Sequence, residues 1–437
     1  MSKVNLFRFD FIFSVGMLFS SLLAVLPILE YPVELEPRVV LFLIGFHFSI
    51  FTAFNSVALG YGGAARNEKS RPEKPAFTNV SIGSFQIIRA GAIIFCLLGI
   101  ASNLLDGSIP ILSSAGSLAE IREGFSYTEV EGGVLARSAD AMSHFGILFI
   151  ILSPLYLKRR FTSRALVAFV LILVISHSLE SGARATIVIT IVGFSAVFFS
   201  LNRIKPGKIM LLAGLAALLF YVLAVEFYLA RNPEFGNNPD YFISRSCAGA
   251  ASHPSIADAS DVVQALNLSL CYFSSPPYYL QHFMDQTNWR WDYSLGAYNL
   301  GFIFRDTFVS DRLLIAHLFD SSGYGSNPWS TFARDMFIDF GFFAFAAAFA
   351  FGLGIRLMTG TDYKQSDMRL ARFGFLAAAG FMAPFISPIL IRPIVYPILL
   401  TFLLPPVLKL LPVKGRVSPP PVYPNRMSGQ QPGSGSA

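Results

Sequence analysis

NPWSTFARDMFIDFGFFAFAAAFAFGLGIRL, residues 327–357, takes the chain from a polar run directly into an apolar one, and its reading decides the fold. Asp335 and Asp339 stand four residues apart, so they share one face of a helix. A carboxylate carried into an apolar span is costly and marks either a site or a buried pairing. Two readings stay open for Asp339: it orients an arginine at a site, or it bonds a neighbouring helix and fixes geometry. The letters DFG at 339–341 have no kinase context around them. This stretch closes residues 229–333, the one long polar segment of the chain. That segment holds no lysine but keeps Arg231, Arg245, Arg290, Arg305 and Arg312.

The 437 residues are 54% hydrophobic and 14% charged. Soluble domains carry about 25% charged residues. The deficit, with apolar runs of about 20 residues, points to a polytopic helical membrane protein rather than a barrel, whose strands would alternate. The net charge of +6 is not a nucleic-acid signal, because the basic residues gather at span ends. Of three cysteines, Cys96 lies in an apolar run, while Cys247 and Cys271 lie in the polar segment and are paired or free there. No cleavable leader is expected at the first apolar run.

Ten spans are expected: 10–29, 38–59, 83–105, 138–157, 164–181, 184–201, 209–228, 334–357, 371–391 and 394–411. All the lysines then fall on one side, from Lys3, Lys69 and Lys74 through Lys158, Lys205, Lys208 and Lys364 to Lys409 and Lys414. By the positive-inside rule that side is cytoplasmic, with both termini. The organisation that follows is a bundle of seven spans over 1–228, with an outer segment at 106–137. A large, partly helical extracytoplasmic loop covers 229–333, spans eight to ten cover 334–411, and a disordered tail covers 412–437. Prolines 384, 388, 393, 397, 405 and 406 interrupt the last pair.

Candidate chemistry gathers on the outer face. HSLESGAR (177–184) turns between two spans and sets Arg184 at a helix start, where backbone N–H groups and the dipole favour an anion such as diphosphate. The alternative is an interfacial arginine paired with Glu180. In the outer segment a short amphipathic helix around 116–125 carries Arg122, with Arg137 further on; Arg122 is either a solvated residue neutralised by Glu120 and Glu123 or a group facing the site. Arg231 follows the seventh span, Arg305 lies in the loop and Arg334 opens the eighth span. CYFSSPPYYLQHF (271–283), with Tyr272 and Tyr278, and NWRWDYSLGAYNLG, with Trp291, are aromatic surfaces that suit sugar stacking or an interfacial belt equally. Arginine without lysine fits bidentate phosphate binding. His144, His317, Glu226, Asp306 and Asp311 are candidate bases, and His47 reads as a satisfied intramembrane residue.

IREGFSY (121–127), SGAR (181–184), Arg231 followed by CYFSSPPYYLQHF, and the 327–357 stretch occur in an order that resembles the Wzy-type O-antigen and oligosaccharide repeat-unit polymerases. Phe343-Ala344 stands where a second glycine is common in that family after Asp-Phe-Gly. The resemblance implies an all-α, GT-C-like membrane glycosyltransferase of the bacterial inner membrane, working at the periplasmic face. Its donor would be a growing glycan on undecaprenyl diphosphate and its acceptor a second lipid-linked repeat unit. A chain-length regulator would be a protein partner, and neither cofactor nor metal would be needed. Arg184 and Arg122 would bind diphosphate, with Asp339 orienting one of them. Arg137, Arg231, Arg305, Arg334, Tyr272, Tyr278 and Trp291 would bind substrate, and the base is not identified. An O-antigen ligase, a lipid-linked oligosaccharide flippase and a polyprenyl-monophosphate glycosyltransferase are the rivals. Loop acids outnumber loop arginines, no internal repeat is evident, and the first outer loop with Glu30, Glu34 and Glu36 is short; these features count against the three in turn.

Overall fold

The computed structural model describes residues 8–25, 29–65, 82–105, 134–180, 184–202, 250–252, 263, 270, 273–286, 331–359, 364, 366–384 and 387–410. The expected seventh span at 209–228, the outer segment up to residue 133, most of the loop 229–333 and the tail 412–437 lie outside them. The helices are α1 (Phe9–Val25), α2 (Pro37–Ala65), α3 (Ile82–Leu105), α4 (Val134–Lys158), α5 (Arg164–Glu180) and α6 (Arg184–Leu201). They continue as α7 (Pro276–Gln286), α8 (Phe332–Phe340), α9 (Ala344–Thr359), α10 (Asp367–Met382) and α11 (Arg392–Leu410). A two-residue antiparallel pairing joins β1 (Leu29–Glu30) to β2 (Ala251–Ser252). It brings a piece of the long loop onto the α1–α2 connection.

Among the described residues four stretches have the length and apolarity to cross a membrane, Pro37–Ser56, Ile82–Ala101, Ser138–Lys158 and Phe332–Thr359, the last by residue count only, since it folds back on itself. With the shorter apolar helices they make a helical membrane protein. Without water to compete, backbone groups must be satisfied inside the protein, and helices do this within each segment. Hydroxyls in these helices follow the same rule. Ser178 and Thr190 donate to the carbonyls of Val174 and Thr186, four residues back, at 2.6 and 2.7 Å. Close helix approach relies on small residues. A Cβ on Gly352 of α9 would sit 2.7 Å from the Ile50 carbonyl oxygen of α2, so only glycine permits that crossing.

One group of helices is α3, α4, α5, α6, α10 and α11. Phe85 meets Tyr156 at one end of α3 while Phe95 packs over Gly146 further along, so α3 and α4 are antiparallel. Ile151 packs on Gly193, and the Lys158 ammonium donates to the Leu201 carbonyl at 3.2 Å, so α4 and α6 are parallel. Tyr396 meets His144 edge-on at 5.0 Å, and Arg372 lies 4.2 Å over the Phe402 ring. These contacts set α11 parallel to α4 and antiparallel to α10.

The eighth span is not the straight helix expected over 334–357. A straight helix would hold Phe332 and Phe351 about 28 Å apart at a rise of 1.5 Å per residue. Their ring centroids are 4.7 Å apart. Phe332 packs on Phe46 and Phe337 on Phe42, whereas Phe345 packs on Gly45 and Gly352 on Ile50. Thus α8 and α9 run in opposite directions as a helical hairpin. Its turn is the 3-10 segment Gly341–Phe343, with Gly341 at φ 54° and ψ −130°. The last glycine of the DFG letters is therefore the residue that reverses the chain, in a backbone region that L side chains avoid.

The expected ninth span, 371–391, also ends early. α10 stops at Met382 and a 3-10 turn, Pro388–Leu390, precedes α11. Pro384 and Pro388 cannot donate into a helix, and the groups they free need partners. α8 supplies them. The Phe332 N–H donates to the Ala383 carbonyl at 3.0 Å, and the Ser387 N–H donates to Asp335 Oδ2 at 3.1 Å. Thr331 caps α8 by accepting from the Arg334 N–H at 2.9 Å.

Gly341→Ala is expected to cost about 1–3 kcal/mol from backbone strain at the turn, read as a lower melting temperature in detergent. Asp335→Ala leaves the buried Ser387 N–H without its acceptor, a loss of about 1–3 kcal/mol, whereas Asp335→Asn keeps an acceptor oxygen and loses less. Equal melting temperatures for the two Asp335 variants would show that this bond contributes nothing.

Candidate functional site

α4, α6 and α11 run the same way, so their N-termini open at one end of the bundle. Each carries an arginine within its first turn: Arg137 in α4, Arg184 as the first residue of α6, Arg392 as the first residue of α11. Counting back equally along α4 and α6 from the Ile151–Gly193 contact sets Arg184 level with Met142, between Asp140 and His144. The side chains of Arg137 and Arg184 lie outside the described residues. Helix starts offer unsatisfied N–H groups to an anion. The C-terminal ends of α3 and α5 reach the same end and offset the helix dipoles. Any attraction for an anion at this end would therefore come from the arginines and individual helix starts, not from a summed dipole.

Beside these starts is a cluster of titratable groups from three helices. His177 Nε2 of α5 lies 3.5 Å from Asp140 Oδ1 of α4, at the outer limit of a hydrogen bond. The Asp140 side chain is 63% exposed and that of His177 24%. His144, one turn along from Asp140, is buried, and its Nδ1 has no hydrogen-bond partner among the described residues. Arg392 acts electrostatically on both Asp140 and His144. Tyr396 presents its ring edge-on to His144, and Phe95 does the same to His177 at 5.7 Å. An anion at the helix starts would thus have imidazoles and a carboxylate alongside it, the elements of proton transfer next to a charged leaving group. Among the described residues no three His, Cys, Asp or Glu side chains converge as metal ligands.

The sequence-derived candidates divide. Arg184 and Arg137 open helices at this end. Asp339 and Arg334 belong to α8 and are buried there. Arg334 reaches Asp335 Oδ1 at 3.5 Å, and Asp335 is tied to the 383–387 break, which leads five residues later into Arg392. Arg122, Arg231, Arg305, Tyr272 and Trp291 lie outside the described residues. Tyr278 is buried under Tyr31, with ring centroids 3.7 Å apart, and its hydroxyl donates to the Ala24 carbonyl at 3.0 Å. Asp140, His177, Arg392 and Tyr396 were not singled out from the sequence as site residues. For Arg392 a signal existed: it is a cation at the lysine-free end of the last span.

α7 covers a different part of the same face. Pro276 and Pro277 start it, as prolines do where a helix N–H has no partner anyway. Gln281 donates to the Glu34 carbonyl at 2.9 Å and accepts from the Glu36 N–H at 2.8 Å. Tyr31 shares a 2.6 Å hydrogen bond with Ser274, and Ser20 donates to the Phe273 carbonyl at 2.7 Å. Arg38 pairs with Glu36 and reaches Asp285 at 3.3 Å. Phe283 meets Phe337 edge-on, which joins this cap to α8.

At the other end of α1, Arg8 grips Asp10 through two bonds of 3.0 and 2.8 Å and donates to Asn55 at 3.0 Å. His47 Nε2 lies 3.1 Å from Ser14 Oγ and its ring stacks on Phe13. This cluster fastens α1 to α2.

No family model matches the chain, no curated protein matches it, and no solved structure matches it.

Burial, partly opposed by the Ser274 bond, raises the Tyr31 phenol above its ordinary value, and burial raises Tyr278 too. Folding therefore favours the neutral phenols. Their contribution is complete below about pH 10 and is lost as pH rises through the folded value. Hydrogen exchange in 276–286 is expected to accelerate above about pH 10, and Tyr31→Phe to flatten that rise; an unchanged profile in the variant would remove Tyr31 as its source.

Proposed function

We propose that this chain is a membrane glycosyltransferase that joins oligosaccharide repeat units carried on undecaprenyl diphosphate. The observation that supports this most is the common opening of three arginine-bearing helix starts beside Asp140, His144 and His177. A glycosyl transfer from a lipid diphosphate needs little else. The acceptor hydroxyl attacks the anomeric carbon, the bond to the diphosphate oxygen breaks, and that oxygen leaves with the electron pair. Cations and N–H groups already in place at the diphosphate stabilise the charge as it grows. The sequence pattern of 121–127, 181–184, 271–283 and 327–357 supports the same class from a separate direction.

In this reading the chain is a GT-C-like protein of ten spans with cytoplasmic termini, the site faces the periplasm of a bacterial inner membrane, and 229–333 closes over it. The interrupted α8–α9 segment fits a cavity-lining role, since broken helices at membrane depth occur where protein surrounds them. The lipid tails of donor and acceptor would lie against the exposed apolar faces of the helices, where Leu18, Phe48 and Leu97 are among the side chains turned outward. A chain-length regulator is the expected protein partner.

Purified protein given an undecaprenyl-diphosphate-linked repeat unit is expected to build a ladder of products on a gel. Arg184→Ala and Arg392→Ala are each expected to slow ladder growth by about 10²–10³-fold, the usual loss on removing one charge-stabilising group. No ladder from the unaltered protein would overturn the assignment. A ladder unaffected by either variant would keep the activity and move the diphosphate elsewhere.

A further inference from the structure

We infer that His177, oriented by Asp140, is the general base that takes the proton from the acceptor hydroxyl. This rests on the proposed glycosyl transfer and supplies the group that the sequence left unidentified. A base for this step must be reachable, oriented, and close to where the leaving group is held. His177 meets all three conditions. It is only partly covered, with 24% of its side chain exposed, whereas His144 is buried. Its Nε2 faces the Asp140 carboxylate, so Nδ1 remains to accept a proton. Phe95 holds the ring edge-on from the other side. The sequence that follows is short: His177 lies in the last turn of α5, which ends at Glu180, and Arg184 opens α6 seven residues on, so base and proposed diphosphate ligand belong to consecutive helix ends.

A second observation points to a polar ligand here. His144 Nδ1 is buried and has no hydrogen-bond partner among the described residues, although such atoms are nearly always bonded. An acceptor hydroxyl or a sugar oxygen between the two imidazoles would supply the missing partner. The step balances. The hydroxyl oxygen bonds to the anomeric carbon, its proton passes to His177 Nδ1, and the diphosphate oxygen leaves with the bonding pair. Asp140 stabilises the imidazolium, as a carboxylate does for a catalytic histidine. The proton then passes to solvent or to the departing diphosphate.

The test uses the full chain in lipid nanodiscs with an undecaprenyl-diphosphate-linked repeat unit as substrate. The groups around His177 are Asp140 and His144 of α4; Arg392 of α11 acts on both of these, and Tyr396 packs on His144, while α4 and α6 carry Arg137 and Arg184 in their first turns. His177→Gln is expected to lower turnover about 10²–10⁴-fold, with KM for the lipid substrate near that of the unaltered protein. The rate profile of the variant loses its acid limb, because the group that must be neutral is gone. Added imidazole restores part of the turnover of His177→Ala, and Asp140→Asn gives a smaller loss with the acid limb displaced. Normal turnover in His177→Gln would overturn the base and leave the glycosyltransferase standing. Loss of turnover together with thermal stability, without rescue by imidazole, would reduce His177 to a packing residue. No product from the unaltered protein would overturn both.

Discussion

The fold depends on keeping every backbone group satisfied where water cannot reach. Most of the described residues meet this condition in uninterrupted helices. Between Met382 and Arg392 the chain does not, because Pro384 and Pro388 break the run. The freed Ala383 carbonyl and Ser387 N–H are taken up by α8. A free carboxylate in an apolar bundle is costly, yet here it accepts a backbone N–H and faces Arg334. The α8–α9 hairpin and the α10–α11 break thus form one unit. α9 then fixes that unit to α2 through the glycine contact at Gly352.

Among the described residues the helix positions were largely legible because membrane helices are fixed by run length and apolarity, and both are written plainly in the chain. α3, α5, α6 and α11 begin or end within two residues of their expected bounds. The hairpin was not legible for the same reason. Composition from 332 to 359 is that of a continuous span, and only Gly341 departs from it, by a backbone angle that no residue count reveals. The early end of α10 was signalled by prolines, but their consequence depended on a partner some fifty residues away.

The candidate site divides in a similar way. Arg184 and Arg137 could be found from sequence because a cation at a helix start is a local pattern. Asp140, His177 and Arg392 come from three helices and meet only through packing. The expected link between Asp339 and these arginines joins residues of α8 and α6. On the same helix, Asp335 is tied to the segment leading into Arg392. The aromatic loop shows how composition can mislead. Tyr278 has the chemistry of a sugar platform but lies buried under Tyr31 and fastens α7 to the ends of α1 and α2.

The bond between Asp335 and Ser387 spans 52 residues, and its later partner leaves the ribosome last. While α8 is being inserted, the Ser387 N–H that the Asp335 carboxylate will accept has not yet been synthesised. Through that interval the hairpin carries a charged group into lipid or holds it in the water beyond. It can settle only when α10 and α11 arrive and close the gap. Assembly of this half of the protein therefore proceeds backward along the chain, with the earlier segment waiting on the later one.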